Sequence, residues 1–219
     1  MEKLNFYTVD LSYVDYLKNA EYKQRGVTRV PNMEYGDKRK PKFLCGIVLQ
    51  VGGKDYYVPV TSYTQQKPDN FLIRASNGQV TSSLRFNYMF PIPKELVSER
   101  TIVNEPDRAY RALLAQELQY CIKNQEMIRH LAERTYKRVL LGKNPGLVQN
   151  SCDFKLLENA CATYAKEHLR AGQSVSADTP PQDLHETRNS VLEKLQNTQS
   201  ATTDVTKKVS EKGSHTKSR

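Results

Sequence analysis

A lysine and two hydroxyl residues flank one short segment of the sequence, residues 40–62. Lys42 stands immediately before an apolar run, Gly52-Gly53 ends that run, and Thr61 and Ser62 end the run that follows. Two apolar runs joined by such a glycine pair are typical of a β-hairpin, which would bring the lysine and both hydroxyls to one end of a small sheet. A fixed cation beside hydroxyl donors suits a phosphodiester better than a neutral substrate.

The charge of the chain also favours a polyanionic partner, since 219 residues carry a net charge of +9. Residues 171–219 are rich in Ser, Thr, Gln and Asp, contain Pro180-Pro181, and contribute only +1. That composition is typical of an unpacked segment. We therefore expect one basic domain over residues 1–170 and a polar tail over residues 171–219 that contains at most a short helix.

The elements that must position the hairpin form a predominantly β first half. The sequence predicts a strand, a short helix, a long basic loop, the hairpin and a second antiparallel pair around the Asn77-Gly78 turn. These elements correspond to residues 5–9, 11–17, 18–42, 40–62, and 71–75 with 84–93. We therefore predict that the first half forms a small, twisted antiparallel sheet that resembles a half-open barrel.

The second half changes to helical periodicity. Residues 104–107 combine an N-cap, a proline and acidic residues, which marks the start of a helix. Apolar stripes follow over residues 110–122 and 127–140, and Ser151 or Asp153 caps a third helix. Strands followed by about three helices predict the α+β class.

Several enzyme classes do not fit the residues. His130 and His168 fall in predicted helices and His185 and His215 in the tail, so no histidine is available in the sheet for a two-histidine ribonuclease or a Cys/His protease. Carboxylates form no cluster near the hairpin, which argues against two-metal nuclease chemistry. The sequence therefore predicts no metal and no cofactor.

The compartment follows from similar observations. Cys45, Cys121, Cys152 and Cys161 show no metal-ligand spacing, and we interpret them as reduced, buried thiols. The longest apolar run, residues 43–51, is too short to cross a membrane, and the first residues lack a secretory signal. We expect a cytoplasmic protein without membrane contact.

The remaining chemistry is cleavage of RNA through its own 2′-hydroxyl. That reaction needs a group to take the 2′ proton, positive charge for the phosphorane and a donor for the departing 5′ oxygen. DNA lacks this hydroxyl and is not an expected substrate. A non-catalytic RNA-binding module is the alternative, because Lys42 could be a solvated strand end and Thr61 and Ser62 could satisfy turn hydrogen bonds.

Two further residue groups have open interpretations. Tyr7, Tyr13 and Tyr35 could pack in the core or stack on bases. The arginines of the predicted helices could form a solvated face or a track for RNA phosphates, and the large excess charge favours the track. They are Arg108, Arg111, Arg129, Arg134 and Arg138.

The order and spacing of six segments resemble the ToxN/AbiQ family of type III toxin–antitoxin endoribonucleases. The segments are FYTV (6–9), KFLCGIVLQVGGKDYYVPVTS (42–62), NYMFPIP (87–93), YRALLAQELQY (110–120), VLLGK (139–143) and CDFKLLE (152–158). The resemblance implies a barrel related to the Kid/MazF toxins with added helices, and metal-independent cleavage that leaves a 2′,3′-cyclic phosphate. It also implies inhibition by a repeated RNA pseudoknot antitoxin in a closed protein–RNA ring, with cellular or phage RNA as substrate.

The resemblance also assigns site residues. It places the family's catalytic lysine on Lys42 and its Thr-Ser pair, which follows a proline, on Thr61 and Ser62. Tyr35 or Lys38 would take the place of a family tyrosine, and Thr64 that of a family lysine, with Lys67 the nearest cation. The expected RNA-binding residues are Tyr35, Lys38, Arg39, Lys40, Thr64, Lys67, Gln119, Tyr120 and Lys123.

Overall fold

The structure, a computed structural model, describes residues 3–34 and 42–169. Strands dominate the first half of the described chain and helices the second. The strands are β1 (Asn5–Val9), β2 (Leu44–Val51), β3 (Lys54–Thr61), β4 (Asn70–Arg74), β5 (Val80–Arg85), β6 (Phe90–Pro91) and β7 (Val97–Glu99). The helices are α1 (Leu11–Arg25), α2 (Arg108–Lys123), α3 (Gln125–Leu140), α4 (Pro145–Gln149) and α5 (Phe154–Tyr164).

The seven strands form one antiparallel sheet in the order β4-β5-β3-β2-β1-β7, with β6 paired to β3. The long central strands carry the core, where Leu44, Val48 and Val58 are fully buried. Strands first and helices after confirm the α+β prediction. The barrel-like closure and the relation to the Kid/MazF toxins stay predictions.

The predicted hairpin is present as β2 and β3. Gly52 and Gly53 form its turn with φ of 56° and 74°, a left-handed conformation that glycine adopts without strain. The register becomes irregular between Cys45 and Leu49. A Cβ on Gly46 would lie 2.2 Å from the Tyr57 ring, so this position requires glycine.

The prediction of a loop over residues 18–42 is wrong at its start, because α1 continues to Arg25. Asp10 caps this helix, and Gly26 ends it with a φ of 69°. The charged residues of 18–25 conceal a helical pattern in which the carboxylate of Glu21 takes a buried position beyond Leu17. Helices are normally recognised by a stripe of apolar residues, and a buried acidic residue does not count toward such a stripe. The pattern therefore did not show that α1 continues past Leu17.

The predicted strand over residues 84–93 is also wrong. The partner of β4 is β5, which runs from Val80 to Arg85 and precedes a 3₁₀ turn at Phe86–Tyr88. β5 also pairs with β3, and after the 3₁₀ turn β6 pairs with β3 again, farther along at Tyr56 and Tyr57. Pro91 and Pro93 lack the N–H groups that a long ladder needs, which explains why this apolar segment is not one continuous strand.

The three predicted helices are confirmed. Asp107 caps α2, α3 ends before Gly142, and Asp153 rather than Ser151 caps α5 by accepting a 3.1 Å hydrogen bond from the Leu156 N–H. The short helix α4 was not predicted. The four cysteines are free and buried, as expected.

No helix in the described part of the chain has the length and apolarity needed to cross a membrane. The predicted tail, residues 171–219, lies outside the described residues, and the domain boundary at residue 170 stays a prediction.

Candidate functional site

The open end of the β2–β3 hairpin brings the candidate catalytic residues together. Leu44 pairs with Pro59, and the Val60 N–H donates a 3.1 Å hydrogen bond to the Phe43 carbonyl. The same register places Lys42 across from Thr61, at the end of the sheet away from the glycine turn. The juxtaposition predicted from the sequence is therefore present in the backbone.

The Lys42 side chain is oriented by the loop that follows α1. Its Nζ donates a 2.6 Å hydrogen bond to the Asn32 carbonyl. The side chain is half-buried, so its ammonium group lies against the protein rather than extending fully into solvent. Four other expected residues, Tyr35, Lys38, Arg39 and Lys40, lie outside the described residues.

The loop that holds Lys42 is itself fixed by Glu21, whose side chain is completely buried. Its carboxylate accepts hydrogen bonds from Arg25 Nη1 at 2.7 Å, the Arg29 N–H at 2.6 Å and the Asp153 N–H at 2.7 Å. Burial alone would raise the pKa of Glu21, but the hydrogen bonds from these donors and from Thr28 hold it below its ordinary value. Glu21 is therefore a buried anion that ties α1, the loop and the start of α5.

The hydroxyl of Thr61 belongs to a short hydrogen-bonded chain. Thr61 Oγ1 lies 3.3 Å from Ser83 Oγ, and Ser83 Oγ donates to the Tyr63 carbonyl at 2.6 Å. Because Ser83 gives its only proton to Tyr63, the Thr61 hydroxyl can donate to the Ser83 hydroxyl at 3.3 Å or to the Ser83 carbonyl at 3.5 Å. Both contacts are long, so the same proton can turn to a phosphate oxygen. The neighbouring Ser62 is exposed.

Arg85, at the end of β5, lies next to this hydroxyl pair and was not predicted as a site residue. Its guanidinium carbon is 5.1 Å from the centre of the Tyr63 ring and 4.5 Å from that of the Tyr88 ring. Tyr63 directly follows Ser62 in the chain. Two cation–π contacts therefore hold a positive charge beside the predicted catalytic residues.

Three cavities form a continuous groove from α2 to α4, here called the basic groove. The first, of about 530 Å³, and the second, of about 570 Å³, share Arg74 and Tyr120. The second and the third, of about 300 Å³, share Lys67 and Pro68. Six cations and one carboxylate line the groove in the described structure: Arg74, Lys123, Lys67, Arg134, Arg85 and Arg138, with Asp69.

Four of the expected RNA-binding residues line this groove. Gln119, Tyr120 and Lys123 project from α2 into the first cavity, and Lys67 lies between the second and third. Tyr120 also packs on Phe71, with ring centres 5.9 Å apart. Thr64 is exposed on the segment that connects the hairpin end to Lys67.

The arginines of the predicted helices do not all face the basic groove. Arg134 and Arg138 line the groove, as a phosphate track requires, whereas Arg108 is exposed at the start of α2 and Arg111 donates to the Glu105 carbonyl at 3.0 Å. No sequence pattern pointed to Arg74 or Arg85 as site residues. Both lie at strand ends, where a single cation normally means only a solvated terminus.

Known proteins with similar sequences and folds are consistent with this geometry. Residues 5–162 match the family described as toxin ToxN of type III toxin–antitoxin systems. The endoribonuclease ToxN of Pectobacterium atrosepticum is 31% identical over 175 residues, which covers 75% of this chain and 95% of that protein.

Two solved structures have a similar fold. One comes from work on selective toxin inhibition by a non-coding RNA pseudoknot in bacterial type III systems. It has a TM-score of 0.67 at 24% identity and covers 76% of this chain and 100% of its own. The other, from work on a processed non-coding RNA that regulates a bacterial antiviral system, has a TM-score of 0.62 at 28% identity. It covers 71% of this chain and 95% of its own.

Proposed function

Because the chain belongs to the ToxN toxin family of type III toxin–antitoxin systems, we propose that it is an endoribonuclease that cuts RNA without a metal ion. The observation that carries this proposal is the hairpin register that sets Lys42 across from Thr61. A cation and hydroxyl groups at one sheet end, beside a groove lined by cations, match the needs of phosphodiester cleavage.

The reaction is an internal transfer on the RNA. The 2′-oxygen attacks the adjacent phosphorus and loses its proton, and the bond from phosphorus to the 5′ oxygen breaks as that oxygen gains a proton. The products are a 2′,3′-cyclic phosphate and a 5′-hydroxyl. Lys42 supplies positive charge to the phosphorane, while Thr61 and Ser62 orient the scissile phosphate by hydrogen bonds.

The basic groove holds the RNA strand that enters this site. Lys67, Arg74 and Lys123 neutralise backbone phosphates, and Tyr120 offers an aromatic face to a base. For contact with a base of the substrate we propose Tyr35 or Lys38, with Arg39 and Lys40 next to them in sequence, and Thr64, two residues after Ser62, as a further RNA contact. Cellular or phage RNA is the substrate, and DNA is not cut because it lacks the 2′-hydroxyl.

The inhibitory partner is a repeated RNA pseudoknot. The relatives described above come from work on toxin inhibition by such an RNA and on an antiviral system regulated by a processed RNA. An assembly in which each antitoxin unit bridges neighbouring toxins would form a closed ring. We infer that the protein acts in the cytoplasm, where cellular RNA is present.

The test is incubation of the purified chain with RNA in excess EDTA, followed by analysis of the fragment ends. We expect cleavage with cyclic-phosphate ends. Lys42→Ala should lower the rate about 10²–10³-fold, the usual cost of removing one group that stabilises the charge of a transition state. Lys23→Ala, which changes an exposed lysine in the last turn of α1, is the matched control and should cut normally.

The same experiment separates the enzyme from a non-catalytic RNA-binding module. Such a module would retain RNA in a binding assay yet leave it intact at every enzyme concentration. Undiminished cleavage by a folded Lys42→Ala variant would instead remove the role proposed for the lysine while leaving the activity in place.

A further inference from the structure

The third cavity of the basic groove has a feature that scissile-bond chemistry does not use. From its geometry we propose a second phosphate subsite, in which Arg85 binds the backbone phosphate of a nucleotide next to the scissile linkage. This inference rests on the proposed RNA cleavage and adds a substrate-positioning residue to it. Two tyrosines orient Arg85, and no anion pairs with it among the described residues. Positive charge surrounds it, and it lies two residues after Ser83.

The guanidinium of Arg85 is held in one orientation before any ligand binds. Tyr63 and Tyr88 contact it with ring centres 5.1 and 4.5 Å from its central carbon. Arginine stacked in this way loses little additional freedom when it forms hydrogen bonds. Its planar fork of N–H donors also matches the oxygens of a phosphate.

Arg85 has no anionic partner within the part of the chain that the structure describes. No carboxylate lies within ion-pair distance, no acceptor receives its N–H groups, and its Nε is buried without a partner. By contrast, Arg25 binds Glu21 and Arg100 binds Glu105. An unpaired buried donor costs stability, so a ligand for this guanidinium is a better explanation than a structural role.

The charge around the cavity selects a phosphodiester. Lys67 and Arg138 line the cavity with Arg85, and Asp69 is the one carboxylate among its described lining residues. The excess of two positive charges favours an anionic group over an amine or a neutral sugar. A volume of about 300 Å³ accommodates a phosphate and part of the attached nucleoside.

The position of Arg85 places this phosphate beside the scissile one and not on it. Ser83, whose hydroxyl contacts Thr61, pairs with Thr61 across β3 and β5. Arg85 follows Ser83 by two residues and lies on the same face of the strand, about 7 Å farther along. An RNA chain that places one phosphodiester at Thr61 and Ser62 would therefore place a neighbouring phosphodiester at Arg85.

The experiment replaces single phosphates by an uncharged group. The probe is a short oligoribonucleotide that contains the linkage cut by the wild-type protein, with a 2′-deoxy residue at the attacking position to prevent cleavage. In each member of the set, one other phosphodiester is a methylphosphonate. We expect wild-type affinity, measured by fluorescence anisotropy, to fall about tenfold at one linkage adjacent to the cut.

Arg85→Gln should bind the unmodified probe about tenfold more weakly and lose the penalty at that linkage alone. Arg108→Gln, which changes an exposed arginine outside the groove, should keep the full penalty. If Arg85→Gln fails to fold, Arg85→Lys provides the comparison, because it keeps the charge without the planar fork and should shrink the penalty.

Two failures are distinguishable. If the wild-type protein cuts RNA but the Arg85 variants keep every linkage penalty unchanged, the subsite is wrong and the endoribonuclease proposal stands. If the wild-type protein leaves RNA intact, the proposed function fails and the subsite fails with it.

Discussion

Two charged regions of the molecule differ in how their charges are paired. In the Glu21 cluster, a fully buried carboxylate accepts hydrogen bonds from five donors: Arg25, Thr28, Arg29, Val30 and Asp153. In the basic groove, six cations face one carboxylate among the described lining residues. The first region balances its charge within the protein, whereas the described lining of the second keeps an excess of five positive charges.

This difference separates stability from function. A buried charge with a complete set of partners is costly to disturb, because removing one member leaves the others unsatisfied. Cations gathered in a groove repel one another, and a bound polyanion would relieve that repulsion. Changes to the Glu21 cluster should therefore alter unfolding, and changes to the groove and hairpin end should alter RNA cleavage and binding.

The largest effect on stability is expected for Glu21→Gln. An uncharged amide keeps the size of the side chain but places an NH₂ group among N–H donors and leaves Arg25 without its anion. We expect the free energy of unfolding, measured in urea, to fall by about 3–5 kcal/mol.

Glu133→Gln is the matched control. Glu133 forms a 2.6 Å ion pair with Lys137, but both side chains are exposed on α3. Its loss should leave the free energy of unfolding nearly unchanged, as is usual for a surface pair. An equal loss of unfolding free energy in the two variants would show that burial does not determine the cost of losing an ion pair.

A smaller effect, on cleavage alone, is expected at the hairpin end. Thr61→Val keeps the shape of the side chain and removes its hydroxyl, and Ser62→Ala removes an exposed one. Each should slow cleavage about 10–100-fold, the value of one hydrogen bond to a charged group. Single-turnover rates measure this effect, and unfolding curves should be nearly unchanged. Wild-type rates in both variants would contradict the assigned role.

The sequence predicted the part of the site that depends on local pairing. The Gly52-Gly53 turn and the lengths of the two runs placed Lys42 and Thr61 at the same end of the hairpin, but their exact pairing also depends on the irregular register between Cys45 and Leu49. Asp107 likewise marked the start of α2. Hairpin turns and helix caps are encoded within a few residues, so they can be predicted without a structure.

The remainder depends on contacts between distant segments. Glu21 appeared as one charge in a basic loop, and its burial required the start of α5, more than a hundred residues later. The role inferred for Arg85 depends on its contacts with the rings of Tyr63 and Tyr88, which the sequence does not show. The 3₁₀ turn that separates β5 from β6 could not be predicted from an apolar segment that looked continuous.

A modest effect is expected for one cation of the groove. Lys123→Gln removes a charge from the end of α2, far along the chain from the hairpin. We expect the slope of log affinity against log salt concentration for single-stranded RNA to fall by about 0.7, with cleavage rates at saturating RNA unchanged. An unchanged slope would show that RNA does not reach the first cavity.

The smallest effect concerns acid. Burial raises the pKa of Glu21 and its hydrogen bonds lower it, and the net result lies below the ordinary value. A carboxyl group whose pKa is lower in the folded than in the unfolded protein stabilises the fold above its ordinary pKa. That contribution disappears as pH falls through the folded value. Unfolding free energies measured from pH 7 down to about pH 3 should therefore decline in the wild-type protein, and less steeply in Glu21→Gln, which has no proton to bind. Parallel declines would assign the acid sensitivity to other carboxylates and leave the Glu21 cluster important for its hydrogen bonds alone.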